Sequence, residues 1–228
     1  MKSILIGSVT SSKIVLEEMI GTGFPVDMVF SLDEQYSQNV SGYFPIHEIA
    51  RKNNIPYKTF RKINDEENVE IIEKISPDYI FVIGLSQLIK KEIISAAKKG
   101  VVGFHPAALP KFRGRATLVW QMLLKVKEPK CSMFLIDEGT DSGDILAQEP
   151  FSIGEEDYAE DVMKNLESSI TKMTHELLPK LMNNTVVPVK QNDAEATYTL
   201  IRRPEDGKIN WNDSLDNIHL LLRAVSRP

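Results

Sequence analysis

Short apolar runs alternate along this chain with longer segments in which apolar residues recur every three or four positions. Runs of four to eight apolar residues are typical of buried β-strands, and the longer spacing is typical of helices with one face against a core. Strands that alternate with helices of this size predict βαβ units joined by right-handed crossovers. We therefore predict an α/β fold: a mostly parallel, Rossmann-like twisted sheet with helices on both faces.

The pattern also predicts where the elements lie. The predicted strands are Ser3–Ile6, Val26–Ser31, Ile55–Phe60, Asp78–Ile83, Val101–Phe104, Lys130–Ile136 and Ile145–Ile153. The longest helix is predicted from about Tyr158 to Met182, with a single apolar stripe made of Val162, Leu166, Ile170, Met173, Leu177 and Leu181.

The character of the sequence changes after Pro188. The last part contains a KINW segment (208–211) that favours a short strand, and an apolar helix that begins after Ser214. We predict a catalytic domain at residues 1–188. Residues 189–228 are predicted to form an appendage of linker strand and helix, the start of a truncated or reduced C-terminal region.

Composition narrows the class of protein. The 228 residues are 42% hydrophobic, which is enough for a real core, and the formal net charge is −5, which argues against a dedicated nucleic-acid binder. The single cysteine, Cys131, excludes a disulfide within the chain. No Cys/His group has the spacing of zinc ligands, and no run has the length of a signal peptide or a membrane span. We expect a cytoplasmic protein without a metal or a membrane partner.

Two polar segments follow predicted strands and carry the candidate chemistry. The first is GVVGFHPAALPKFRGR (100–115), in which Pro106 keeps His105 extended at the end of a strand. In an open parallel sheet this edge is where ligands bind. The second is DEGTDSGDI (137–145), which contains Asp141. A histidine and a carboxylate at the ends of two strands can meet and share a proton, as general acid–base catalysis requires.

A lone histidine is more often structural than catalytic, so the surroundings of His105 matter. The loop after it carries Arg113 and Arg115, and a second loop offers carboxylates. The chain shows no nucleophilic Ser or Cys in a recognised setting, no metal-ligand set and no phosphate loop. The GSVTSS segment after the first strand has one glycine where a dinucleotide fingerprint needs three. This combination favours direct transfer of a group between two bound substrates.

The two segments also resemble a known family. VVGFHPAALPKFRGRATLVW followed by DEGTDSGDILAQEPFSI resembles the 10-formyltetrahydrofolate-dependent formyltransferases. The tail ATYTLIRRPEDGKINWNDSLDNIHLLLRAV is similar to the link between domains in two branches of that family, the methionyl-tRNA formyltransferases and the sugar-nucleotide N-formyltransferases. The resemblance implies that 10-formyltetrahydrofolate is the co-substrate and that an amine attacks its formyl carbon.

The resemblance also implies roles for particular residues. His105 matches the catalytic histidine, and Asp141 matches the aspartate that supports it. Arg115 matches a position beside the folate site. Two segments match those that hold the pterin, largely through backbone groups: the turn of Gln87, Leu88 and Ile89, and the loop of Asp137, Glu138, Gly139, Thr140 and Asp141.

Two positions depart from the family pattern. Gly103 stands where the family has an asparagine that donates a hydrogen bond to the formyl oxygen, and Ala107 stands where it has a serine. Loss of one such donor costs roughly 3–4 kcal/mol of barrier. Three substitutes are open: a protonated His105, a water beside Gly103, or Gln87. Otherwise activity is weak or lost.

The acceptor is expected to be a small primary amine. Binding of transfer RNA requires Lys and Arg contacts to phosphates, whereas the loop Leu32–Phe44, at the place of an RNA-contacting insertion, is short and acidic. We expect a nucleotide-linked amino sugar of the kind that feeds polysaccharide synthesis, and Arg202 and Arg203 are candidates for its pyrophosphate. Nucleic acid is not expected as a partner, and a homodimer is open. The alternatives are methionyl-tRNA formylation, hydrolysis of 10-formyltetrahydrofolate, and folate binding without catalysis.

Overall fold

A seven-stranded sheet forms the centre of the computed structural model, which describes residues 1–226. The strands are β1 (Ser3–Gly7), β2 (Met28–Leu32), β3 (Tyr57–Phe60), β4 (Tyr79–Ile83), β5 (Gly100–His105), β6 (Arg113–Gly114), β7 (Lys130–Leu135), β8 (Ile145–Pro150) and β9 (Tyr198–Thr199). The order in the main sheet is β3-β2-β1-β4-β5-β7-β8, while β6 and β9 form a separate parallel pair.

The first five strands of the chain are parallel to one another, and β7 runs antiparallel to both β5 and β8. The helices are α1 (Thr10–Gly21), α2 (His47–Lys52), α3 (Glu66–Ile75), α4 (Lys91–Ala96), α5 (Thr117–Leu123), α6 (Ala159–Met182) and α7 (Leu215–Val225). Apolar clusters cover both faces of the sheet, one with α1 and α6 and the other with α3 and α4. The prediction of a mostly parallel α/β sheet with helices on both faces is confirmed.

The apolar stripe of the long helix is buried as its spacing predicts. Val162, Leu166, Ile170, Met173, Leu177 and Leu181 are all at most 3% exposed. The helix is buried along this one stripe, whereas every residue of β4 is buried, as expected for a central strand covered on both faces.

The path of the chain creates a crevice at one edge of the sheet. From β1 the chain moves outward to β2 and β3, and it then returns to place β4 on the other side of β1. The space beyond the carboxyl ends of β1 and β4 is therefore the topological switch point, where open α/β sheets bind ligands. The candidate site lies at this edge.

Residues 189–226 pack against the sheet domain at several places, including a bridge between Val189 and Ile145. Strand β9 pairs with β6, and α7 contacts α5 and α6. The predicted KINW strand is wrong. Residues 208–210 are irregular and follow the 3₁₀ turn Pro204–Gly207, because none of the strands within residues 1–226 pairs with them. None of the helices within residues 1–226 combines the length and apolar character needed to span a bilayer.

Candidate active site

His105 ends β5 with its side chain buried. Its Nε2 lies 2.7 Å from the carbonyl oxygen of Phe112. A carbonyl can only accept a hydrogen bond, so Nε2 carries the proton of the neutral ring, an assignment that rests on the hydrogen-bond network. The other nitrogen, Nδ1, is then free to accept a proton, and it lies 3.6 Å from Oδ2 of Asp141.

Asp141 is held in place by the backbone of a neighbouring segment. Its Oδ2 accepts a hydrogen bond of 2.9 Å from the N–H of Gly114. Its backbone is left-handed, with φ of 50°, a conformation that Asp tolerates better than most residues. The carboxylate therefore has a defined position, 3.6 Å from Nδ1 of His105.

The pair meets by a different route from the one that two strand ends suggest. Because β7 runs antiparallel to β5, Leu135 at the end of β7 pairs with Val102, and His105 pairs with Ser132 near the start of β7. The loop after β7 thus begins near Val102, three residues before His105 on β5. It then folds back along the sheet to bring Asp141 beside His105.

The surroundings of Gly103 exclude one of the three substitutes for the missing asparagine. A Cβ atom at this position would lie 2.9 Å from Cγ1 of Ile136 and 3.0 Å from the ring of Phe134. These two side chains occupy the place where the Cβ of an asparagine would lie, so a water does not fit at that point. Ala107 is also buried, and its carbonyl accepts a hydrogen bond from the hydroxyl of Ser132.

The side-chain amide of Gln87 is held by the end of β3, which leaves one of its two N–H groups without a partner among the described residues. Its Nε2 donates to the carbonyl of Arg61 at 2.7 Å, and its Oε1 accepts from the N–H of Ile63 at 2.9 Å. Gln87 therefore ties the turn after β4 to the end of β3. Protonated His105 and the second N–H of Gln87 remain of the three.

The two segments predicted to hold the pterin lie on either side of an exposed ion pair. Glu138 lies 3.5 Å from Lys91, at the start of α4. In the turn before α4, Ile89 packs into the core, whereas Leu88 is 87% exposed.

The rest of the pterin loop is exposed and mainly makes contacts within itself. Asp137 accepts hydrogen bonds from the N–H of Gly139 and the hydroxyl of Ser142, so its carboxylate shapes the loop. Thr140 is exposed, and so is Arg115, whose N–H donates to the carbonyl of Thr199. The neighbouring Arg113, in contrast, is buried at 2% exposure and faces away from solvent.

A cavity of about 250 Å³ opens at the switch point, one strand away from β5. Arg61 lies over the ring of Tyr36, with its guanidinium carbon 5.1 Å from the ring centre. The sequence analysis missed Tyr36, Arg61 and Lys62, and the available signal was an Arg-Lys pair directly after a strand. The cavity is lined by Ser8, Leu32, Tyr36, Val40, Arg61, Lys62, Leu85, Ser86 and Gln87.

A wider cleft of about 540 Å³ lies between α5, the start of α6 and the end of α7. Arg202 and Arg203 both line it. The guanidinium carbon of Arg202 lies 5.0 Å from the ring centre of Trp120, and its Nη2 donates to the carbonyl of Asp206. The guanidinium of Arg202 is therefore already held by Trp120 and Asp206 of the same chain.

A family model described as formyl transferase matches residues 27–182. The chain belongs to the formyl transferase family. It is 32% identical over 186 residues to a methionyl-tRNA formyltransferase of Clostridium perfringens, a match that covers 81% of this chain and 60% of that protein. The chain thus spans about 60% of the length of the curated relatives that it matches.

Solved structures show the same fold. An N-formyltransferase from Helicobacter canadensis, solved with folinic acid and dTDP-3-aminofucose, matches with a TM-score of 0.73 at 22% identity, covering 98% of this chain and 80% of that one. A methionyl-tRNA formyltransferase from Clostridium thermocellum matches with a TM-score of 0.69 at 23% identity, covering 98% of this chain and 82% of that one. The resemblance predicted from the two sequence segments is confirmed at the level of the family.

Proposed function

We propose that this chain transfers a formyl group from 10-formyltetrahydrofolate to a primary amine, the amino group of a nucleotide-linked amino sugar. The observation that carries the proposal is the buried imidazole of His105, with Nδ1 facing the carboxylate of Asp141, in a chain of the formyl transferase family. The Helicobacter canadensis relative, whose fold this chain shares, was solved with a folate and a dTDP-linked amino sugar.

In this proposal His105 moves one proton during the transfer. The acceptor amine attacks the formyl carbon, and Nδ1 of His105 takes the proton that the amine loses, while Asp141 stabilises the resulting imidazolium. The bond between the formyl carbon and N10 of the folate then breaks, and Nδ1–H of His105 gives its proton to N10 as the folate leaves. The carbonyl of Phe112 holds Nε2–H, so the ring presents Nδ1 to the reaction.

The same protonated ring would supply the hydrogen bond that Gly103 does not. Once Nδ1 carries the proton, it is a donor beside the reacting carbon, where the formyl oxygen gains negative charge. Of the three substitutes for the family asparagine, His105 is preferred because it faces Asp141 in the site, whereas the place of the asparagine Cβ at Gly103 is filled and the amide of Gln87 is tied to the end of β3.

The folate would lie between the turn Gln87–Ile89 and the loop Asp137–Asp141, with Arg115 beside them. Backbone groups of the two segments would bind the polar edge of the pterin. The exposed side chain of Leu88 offers an apolar surface to a planar ring. Gln87 would act here through its main chain, since its amide is engaged.

The cavity at the switch point supports a nucleotide as part of the acceptor. Its lining within the described chain includes two cations, Arg61 and Lys62, and no carboxylate. Two cations suit a pyrophosphate, because hydrogen bonds between charged partners are stronger than neutral ones. The ring of Tyr36 provides a surface on which a base can stack.

The electrostatics of the loop beside this cavity argue against a bound nucleic acid. Burial raises the pKa of Tyr43, and the negative charges of Glu34, Asp33 and Glu48 raise it further. This loop therefore carries a negative potential that opposes the phosphates of transfer RNA. The charges support a small acceptor.

Methionyl-tRNA formylation is the second candidate function. The curated relatives at 31–32% identity are named methionyl-tRNA formyltransferases, and they match about four fifths of this chain. This similarity favours transfer RNA as the acceptor, whereas the acidic loop and the cationic cavity favour a nucleotide sugar.

One assay separates the candidates. The chain is incubated with 10-formyltetrahydrofolate and, separately, with UDP-, dTDP- and GDP-linked amino sugars or methionyl initiator tRNA, while tetrahydrofolate release and product mass are followed. Formylation of a sugar supports the proposal, and formylation of tRNA alone replaces it. Tetrahydrofolate release without a formylated product indicates hydrolysis. Folate binding without release on any acceptor indicates a non-catalytic binding protein.

A further inference from the structure

Gln191 connects the C-terminal segment to the loop that carries Asp141. It is 6% exposed, although it lies beyond the end of the family match and beyond the predicted catalytic domain. Its Nε2 donates two hydrogen bonds, one of 2.8 Å to the carbonyl of Asp141 and one of 2.7 Å to the carbonyl of Gly143. The amide of Gln191 therefore holds Asp141 by its backbone carbonyl and leaves the carboxylate of Asp141 free to face His105.

Arg113 fixes the orientation of this amide. Its Nε and Nη2 both donate to Oε1 of Gln191, at 3.1 and 2.8 Å. The amide is thus fully used, with both N–H groups and the oxygen engaged, and it cannot flip without losing hydrogen bonds on both sides. Arg113 also donates to the hydroxyl of Tyr198 and forms an ion pair of 2.9 Å with Asp193.

The charge of Arg113 is secured by the same segment. Burial disfavours the guanidinium, but the hydrogen bonds with Tyr198 and Asp193 outweigh it and raise the pKa of Arg113 above its usual value. Removing the segment would leave a buried cation without these partners, which is costly.

The segment also holds the backbone around Arg113, and through it both candidate catalytic side chains. Thr197 accepts a hydrogen bond from the N–H of Arg113 through its carbonyl and from that of Phe112 through its hydroxyl. Phe112 in turn accepts from Nε2 of His105, and Gly114 donates to the carboxylate of Asp141. Residues 112–114, which the C-terminal segment holds by hydrogen bonds, therefore contact both members of the pair.

We propose that Gln191 is a positioning residue for Asp141, and that Arg113 holds the amide of Gln191 in the orientation this requires. The inference rests on the proposed formyl transfer for its kinetic consequence, but its structural part stands alone. Residues 191–199 then help to position the candidate catalytic residues and are more than a linker.

The test is Gln191→Glu in the full chain. The new carboxylate keeps both hydrogen bonds from Arg113 but has no N–H for the carbonyls of Asp141 and Gly143. We expect kcat for formyl transfer to fall about 100-fold, as for a displacement of about 1 Å at a reacting group. KM for the acceptor amine should stay within about twofold of wild type, since its proposed binding groups at the switch-point cavity are untouched.

Two controls separate positioning from a general structural effect. Asn165→Asp makes the same amide-to-carboxylate change in a half-buried residue of α6 whose Nδ2 donates to the carbonyl of Ser152, and it should leave kcat unchanged. In an Asp141→Asn background, Gln191→Glu should have little further effect on kcat, because both changes act through one carboxylate. A full additional loss in that background would overturn the proposal.

Amide hydrogen exchange tests the structural part without any activity. The N–H of Gly114 donates to Asp141, so Gln191→Glu should accelerate its exchange on the order of tenfold, the loss of about one hydrogen bond, while Asn165→Asp should not. If the wild type shows no formyl transfer, the proposed function fails and this measurement still decides the role of Gln191. Unchanged exchange at Gly114 in a folded Gln191→Glu variant would refute it.

Discussion

Nδ1 of His105 lies 3.6 Å from Oδ2 of Asp141, while Nε2 of the same ring donates to the carbonyl of Phe112. The two contacts give the imidazole a direction: one nitrogen is fixed by the backbone and the other faces a carboxylate. A ring held in this way can accept a proton only at Nδ1, and the charge it then gains is next to its partner. The pair is the geometric basis for the kinetic effects expected of changes at His105 and Asp141.

His105→Ala should lower kcat for formyl transfer by about 10²–10⁴-fold, the usual contribution of a positioned general base. Asp141→Asn should lower it less, because the amide keeps the shape of the loop but loses the charge. The dissociation constant of the folate, measured by fluorescence or calorimetry, should change little for His105→Ala.

His175→Ala is the matched control for this prediction. His175 also faces a carboxylate, Glu18, at 3.0 Å, but it is exposed on α6. Its removal should leave kcat unchanged. Equal activity in His105→Ala and wild type would contradict the proposed role of His105 in proton transfer.

The alternation of strands and helices could be predicted from the sequence, because burial spaces the apolar residues differently in a strand and in a helix. The stripe of α6 and the fully apolar β4 follow directly from this rule. The antiparallel direction of β7 was not readable, since an apolar run looks the same in either direction. The KINW segment was predicted as a strand because local alternation does not show whether a partner strand is present.

The candidate site was only partly readable, for a related reason. His105 and Asp141 are marked by local signals, namely a strand end followed by proline and a tight acidic loop. Gln191 carries no local signal, since its role depends on contacts with residues far away in the chain. The engaged amide of Gln87 was likewise invisible before its tertiary partners were known.

Gly103→Asn should lower stability rather than raise activity. Its Cβ would lie 2.9–3.0 Å from Ile136 and Phe134, so the side chain must displace both. Overpacking of this kind costs about 1–3 kcal/mol of the free energy of unfolding. Urea unfolding of the variant and the wild type measures the difference. An unchanged midpoint together with faster formyl transfer would show that the site accepts the asparagine.

The paired variant Gly103→Asn with Ile136→Ala separates space from chemistry. Truncating Ile136 opens room for the asparagine. The double variant should therefore lose less stability than the sum of the losses in the two single variants. Ile136→Ala alone is the control. If formyl transfer is then faster in the double variant than in Ile136→Ala, the asparagine amide has become an additional donor to the formyl oxygen.

Arg61→Ala and Lys62→Ala should each raise KM for the nucleotide-linked acceptor. A hydrogen bond to a charged group contributes about 1.5–3 kcal/mol, which corresponds to a rise on the order of 10- to 100-fold. KM for 10-formyltetrahydrofolate should change less, because the proposed folate segments share only Gln87 with the lining of the cavity. Arg51→Ala and Lys52→Ala, exposed cations at the end of α2, are the controls. A rise in the folate KM alone would assign the cavity to the folate instead.

Cys131 should be inert towards thiol reagents in the folded chain. Burial raises the pKa of this thiol to about 12, and it is the single cysteine, so all labelling reports on this position. The thiolate is the reactive form, and it is present near pH 8 only in the unfolded chain, where the pKa is about 8.5. Absorbance after addition of a disulfide reagent should therefore stay flat in buffer and rise to one thiol per chain in guanidinium chloride. Rapid labelling in buffer would mean that β7 opens locally. That would weaken the proposed site, because β7 supplies Phe134 beside Gly103 and leads into the loop that carries Asp141.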